Sequence, residues 1–176
     1  MSFKSFAALA ALLAAVPATV PARQAQQAAA ASVDDFVRVA AQNSLAEVAL
    51  SAMALQKTQN RRVQVYAWMM LEHHARGLGA LAEALGPDAA PLPTQPSAEQ
   101  TATLQRMRGL NGAQFDQAYL AHELQAHERA IRVFEQGSRV SDRKVAQYAS
   151  TTLPILRAHH EIARIRQTQP PLPMAQ

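Results

Sequence analysis

Glu47, His74, His127 and His159 each interrupt a run of apolar residues that recur every three or four positions. At about 3.6 residues per turn, that spacing puts each of them on the inward face of its helix. Imidazole and carboxylate are the donors that hold zinc, copper, iron or manganese, and helical bundles commonly build such sites between facing helices. Glu123 lies one turn before His127 and Glu128 follows it directly. Both are therefore candidates for a further ligand, or for an acceptor behind one. A carboxylate in an apolar seam must be protonated, paired or bound to a cation. The same residues would also serve as a metal-free hydrogen-bonded core network. Acid–base catalysis by the histidines is a third use, and it requires an open cavity beside His127 and Glu123.

These residues need four helices to carry them. The first is expected to start at a Ser32 or Asp34 cap and to run to about Asn60, with Phe36, Ala40, Asn43, Glu47, Leu50 and Ala54 inward. The second, Val63 to Leu85, turns Ala67, Met70, His74, Leu78, Leu81 and Leu85 inward and stops at Gly86-Pro87. An extended connection with three prolines, 88–96, leads to a short helix from Ser97 to about Arg108, which Gly109-Leu110-Asn111-Gly112 ends. The third long helix, about Ala113 to Gln136, has a seam of Leu120, Leu124, His127, Ile131 and Phe134, and Gly137 stops it. Ser141 or Asp142 caps the fourth, whose seam is Val145, Ala149, Thr152, Leu156, His159 and Ala163. Pro154 falls inside it, where loss of a backbone hydrogen bond predicts a kink.

Short turns between long helices predict antiparallel neighbours. Counted from the Asn60-Arg61-Arg62 turn, Glu47 lies about 13 residues back and His74 about 13 forward, each about 20 Å along its helix. The two should sit at one height. His159 fits less well: it lies about 18 residues past its turn and His127 about 10 before it, an offset of about 12 Å. The expected architecture is an all-α, antiparallel four-helix bundle with a short extra helix between helices two and three.

Composition agrees. A chain of 176 residues, 49% hydrophobic, suits one domain with one substantial core. Aromatics make up only 5%, alanine and leucine are abundant, and no stretch alternates as a strand would. Lys4 followed by the apolar run Phe6 to Val16 reads as a secretory signal peptide over residues 1–22, cut near Ala22. Eleven apolar residues are too few for a membrane span, which takes about 20. No later segment is apolar enough, so a periplasmic or secreted address is expected. Residues 23–32 read as a flexible lead-in, 33–166 as the bundle and 167–176 as a Pro-rich disordered tail.

With no cysteine, the chain offers no thiolate ligand, disulfide or acylated anchor. Loss of Lys4 with the signal lowers the formal charge from +4 to +3. The cations are scattered and not interleaved with aromatics, which argues against nucleic acid as a partner. There is no G-x-S-x-G elbow and no Gly-rich phosphate loop. Trp68, Met69 and Met70 would suit copper, although methionine at helical spacing more often fills a core. Tyr66 and Tyr119 are placed to hydrogen-bond to the polar cluster, while His73, His122 and His160 should face the bundle edge or solvent. Oligomeric state is open, a homo-oligomer included.

SLAEVAL with Glu47, YAWMMLEHHAR with His74, FDQAYLAHELQAHE with His127 and LPILRAHHEIAR with His159 together resemble an exported bacterial family, domain of unknown function 4142. The resemblance spans residues 33 to about 166. It implies a ferritin-like fold and an envelope location. Ferritin-like di-iron or di-manganese sites use Glu-x-x-His pairs. Here Leu71, Leu124 and Leu156 stand three residues before the histidines, so ferroxidase or oxygenase chemistry is not carried over. The expectation is an exported bundle that binds a metal ion through Glu47, His74, His127 and His159, in envelope metal handling or stress defence. The alternative is a non-enzymatic envelope protein whose Glu/His network is structural.

Overall fold

The structure, a computed structural model, describes residues 22–172 and Met174. The expected signal segment through residue 21 lies outside the described residues. The described chain is all-helical, with no strand: α1 (Ala22–Lys57), α2 (Arg61–Leu85), α3 (Ala98–Arg108), α4 (Gly112–Gly137) and α5 (Arg143–Thr168). None of these helices is long and apolar enough to cross a membrane.

Local chemistry sets most of the ends. Asn60 caps α2, its Oδ1 accepting from Arg62 N. Ser97 and Gln100 form a reciprocal capping box at α3, and the Asp142 carboxylate accepts from Lys144 N and Val145 N at the start of α5. Gly86, at φ +83°, ends α2 in backbone space that only glycine enters freely. One expectation needs correction. α1 begins at Ala22, so neither Ser32 nor Asp34 is its cap: the alanine-rich lead-in is itself good helix sequence and α1 runs through it. α4 ends at Gly137 as expected, and a Cβ there would strike the Phe36 ring.

The Pro-rich segment after α5 is held at the α1–α2 turn. Arg61 N donates to Leu172 O at 2.6 Å, Leu172 N donates to Asn60 Oδ1, and Arg62 donates to Pro170 O. α3 is clamped to the bundle from both ends. Gln100 Nε2 donates to Asn43 Oδ1 on α1 at 2.7 Å, and Lys57 Nζ donates to Arg108 O, Leu110 O and Asn111 Oδ1. That last bond occupies the side chain that would otherwise cap α4.

The core forms two apolar clusters. One gathers Leu50, Val63, Met70, Phe115, Tyr119 and Ala163, with Leu104 and Met107 of α3. The other gathers Phe36, Leu81, Phe134, Val145, Tyr148 and Leu156. Burial of each large apolar side chain contributes about 1.5–3 kcal/mol. On every long helix the polar position falls between the two clusters: Glu47 on α1, His74 on α2, Glu123 and His127 on α4, His159 on α5. On α4 the buried line is Tyr119, Leu120, Glu123, His127, Ala130 and Phe134. Leu124 and Ile131, expected inside, are only half-buried flanks. The seam is rotated by about one residue, and that rotation brings Glu123 into the core.

Candidate metal centre

Each polar side chain is buried because its helical position turns it inward between two apolar layers. His74, His127 and His159 each present a ring nitrogen within 4.8 Å of the others, and Glu47, Glu123 and His127 form a second such group. The two groups share His127, so all five belong to one cluster. Glu128, the other auxiliary candidate, is not part of it. Its carboxylate is exposed and lies 3.6 Å from His160 Nε2 on the outer side of α4 and α5.

The offset expected for His159 is absent: its Nδ1 stands 3.3 Å from His127 Nε2. Counted from the observed ends, His127 lies ten residues before Gly137 and His159 sixteen after Arg143, an offset of about 9 Å. Helical side chains lean toward their own N-terminus. His159 therefore leans toward the α4–α5 turn and His127 away from it. The five-residue connection 138–142 takes up the rest by letting the two helices end at different heights.

Hydrogen bonds order the rings. His127 Nδ1 is 2.9 Å from the Glu123 carbonyl, which can only accept, so Nδ1 carries the proton and Nε2 has a free lone pair. His73, expected at the bundle edge, instead joins the cluster, with Nδ1 2.8 Å from His159 Nε2. Tyr66 reaches the same place and donates to the His159 carbonyl. Tyr119 shares a hydrogen bond with Ser51 beside Glu123. His74 Nε2, Glu47 Oε2 and both carboxyl oxygens of Glu123 have no hydrogen-bond partner.

Burial also sets the charges. It lowers His74 well below the usual histidine range, His127 to about 4 and His159 to about 3, so all three rings are neutral near pH 7. It raises Glu47 to about 7, against the opposing pull of the neighbouring Glu123 carboxyl and of the Arg129 guanidinium. Glu123 is pushed well above the carboxylate range, first by burial and then by the Glu47 charge. A proton on Glu123 gives the pair the donor that two carboxylates lack.

A cavity of about 660 Å³ adjoins the cluster, and Glu47, His73, His74, His127 and His159 are among the residues that line it. Its walls also include the exposed Arg76, Glu99, Arg129 and Ile155. Glu123 lies behind this lining.

Clustered imidazoles and carboxyls within a helical bundle are residues that could hold a metal ion. Fold and cluster thus define a helical-bundle protein with a buried histidine–carboxylate core. The family described as a domain of unknown function (DUF4142) matches residues 18–165, and the chain belongs to it. No curated protein and no solved structure matches the chain. Sequence periodicity pointed to the seam positions. It missed His73, which lies one residue off the seam, and the adjacent histidine pair was the only signal that could have found it.

Proposed function

We propose that this protein is an exported metal-binding bundle whose ion sits among His74, His127 and His159, with Glu47 and Glu123 completing the donor set. Two nitrogens about 2.0–2.1 Å from a tetrahedral ion stand about 3.3–3.4 Å apart. His127 Nε2 and His159 Nδ1 are separated by 3.3 Å. The observation that carries the proposal is that His74, whose buried Nε2 has no hydrogen-bond partner, belongs to the same group. Nitrogen and oxygen donors without sulfur suit a first-row divalent ion such as zinc, copper, iron or manganese. A bound cation would also favour the ionised carboxyls that burial otherwise disfavours.

The pairing of residues supports an antiparallel, ferritin-like bundle. Phe36 meets Phe134 whereas Ser51 meets Tyr119, and Arg62 meets Pro170 whereas Gly77 meets Tyr148. One long crossover, 86–111, joins α2 to α4, as in ferritin-like bundles. Lys4 and the apolar run after it support export to a periplasm, where the role is envelope metal handling or stress defence.

A structural role for the cluster is the second reading. The chain of bonds from His73 through His159 and His127 to Glu123 O closes without an ion. It leaves His74 Nε2 and the carboxyl oxygens unexplained. Elemental analysis decides between the two, on the untagged full chain expressed with its N-terminus intact and recovered from the envelope fraction. The metal proposal expects stoichiometric metal in the parent and its loss in His74→Ala and Glu47→Gln. Metal-free protein that also refuses zinc, copper, iron and manganese on reconstitution would make the layer structural.

A further inference from the structure

We infer that His73 is a positioning residue for the centre: by accepting a hydrogen bond from the His159 Nε2–H, it lets His159 bind the ion through Nδ1. The inference rests on the metal reading above and deepens it.

In the metal-free protein the direction of each bond is fixed from one end. The Glu123 carbonyl only accepts, so His127 donates from Nδ1 and offers its lone pair at Nε2. The contact at 3.3 Å then requires His159 to donate from Nδ1. A neutral His159 has its lone pair at Nε2, where it accepts from His73 Nδ1 at 2.8 Å. Every bond in this chain points from His73 toward Glu123.

An ion bound among the three rings reverses one link. His159 must give up its Nδ1 proton to present a lone pair to the metal. It stays a neutral imidazole only if the proton moves to Nε2, and the group facing Nε2 is His73 Nδ1. His73 can take the accepting role because its own proton moves to its Nε2. Proton number is unchanged: one ring proton shifts from Nδ1 to Nε2 on each of His159 and His73. His127 needs no such change, since its Nδ1 already donates to a carbonyl. A ligating histidine commonly donates its other ring N–H to an oriented acceptor, and loss of that acceptor costs about 10- to 100-fold in metal affinity. His73 lines the cavity and is only half-buried, so its replacement need not disturb the apolar layers.

The test compares the full-length parent with His73→Phe, which keeps a ring but no acceptor, and His73→Asn, whose Oδ1 can stand where Nδ1 stands. Zinc dissociation constants and the visible spectrum of the Co²⁺-loaded forms are read together, with far-UV circular dichroism and melting of the metal-free forms as the folding control. The inference expects His73→Phe to weaken zinc binding by about 10- to 100-fold and to shift the Co²⁺ bands. His73→Asn should restore affinity to within about threefold of the parent. A His73→Phe variant that folds and matches the parent in affinity and spectrum overturns the role of His73 while leaving the metal site standing. Equal weakening in both variants overturns it too, because ring loss rather than acceptor loss would then be responsible. A parent that binds neither zinc nor Co²⁺ overturns the metal reading itself, and the inference with it.

Discussion

The layer around Phe36, Phe134 and Tyr148 and the layer around His127 lie next to each other in one core, yet they are built on opposite principles. In the first, Phe36 packs edge-on against Phe134 with ring centroids 5.2 Å apart, and Tyr148 closes the group at 5.8 Å from Phe134. The ring contacts there are aromatic, and none of the three residues carries a buried ionisable carboxylate or imidazole. In the second, five ionisable groups are packed to near-zero exposure, and several of their atoms have no partner. The apolar layer is explained by stability alone. The polar layer costs stability in the metal-free chain, because buried polar atoms lose their water without full replacement. A fold that only needed to be stable would repeat the first layer.

Substitutions can break that contrast from either side. Phe134→Ala should have the largest effect on stability, about 3–5 kcal/mol in denaturant titration, while metal content per folded molecule stays at the parent level. Metal loss from that variant in its folded state would mean that the two layers are not separable.

Metal addition should act on the polar layer alone. Zinc at about 100 times its dissociation constant is expected to stabilise the parent by about 2.7 kcal/mol and to leave His127→Ala unchanged. pH sharpens the same point in the metal-free parent. Below pH 6.5 the unfolded chain takes up protons on His74, His127 and His159 that the folded chain resists, so stability falls with acidification. Above pH 4.5 the unfolded chain ionises Glu47 and Glu123 while the folded chain keeps them protonated, so their contribution falls as pH rises, for Glu47 through about 7. Between those limits three imidazoles outweigh two carboxyls. The contribution of this layer should peak near pH 6.5, and Glu123→Gln should flatten the alkaline side. Melting temperatures from pH 4 to 9 measure both limbs.

Gly137→Ala tests the apolar layer in the other direction. The added methyl must displace the Phe36 ring, which is wedged against Phe134 and Tyr148, so a loss of about 1–3 kcal/mol is expected in denaturant titration. The smallest effect belongs to Tyr119→Phe. It removes the hydroxyl shared with Ser51 beside Glu123 and should cost about 1 kcal/mol by the same measurement.

Much of this contrast is legible in the sequence, because helical periodicity reports which way a residue faces. The seam on α1 places Glu47 inward, and Ser97 and Asp142 mark two helix starts by their capping chemistry. Depth and neighbour identity are not encoded that way. His73 stands one residue before a seam histidine and Glu128 one residue after a second seam histidine, each about 100° around the helix. His73 meets the His159 ring, while Glu128 stays exposed beside His160. Which helix lies across from such a flanking position depends on how the bundle is assembled, and no local pattern records it. The height of His159 is poorly legible for a related reason: a residue count from a turn records neither the lean of side chains nor the length of the connection that the structure adopts.

X-ray absorption at the zinc edge of the reconstituted full-length protein tests the central claim most directly. The account predicts light donors at about 2.0–2.1 Å together with the outer-shell scattering of three imidazoles, reduced to two in His74→Ala. A zinc environment made only of oxygen donors without imidazole scattering, or one that His74→Ala leaves unchanged, would contradict it.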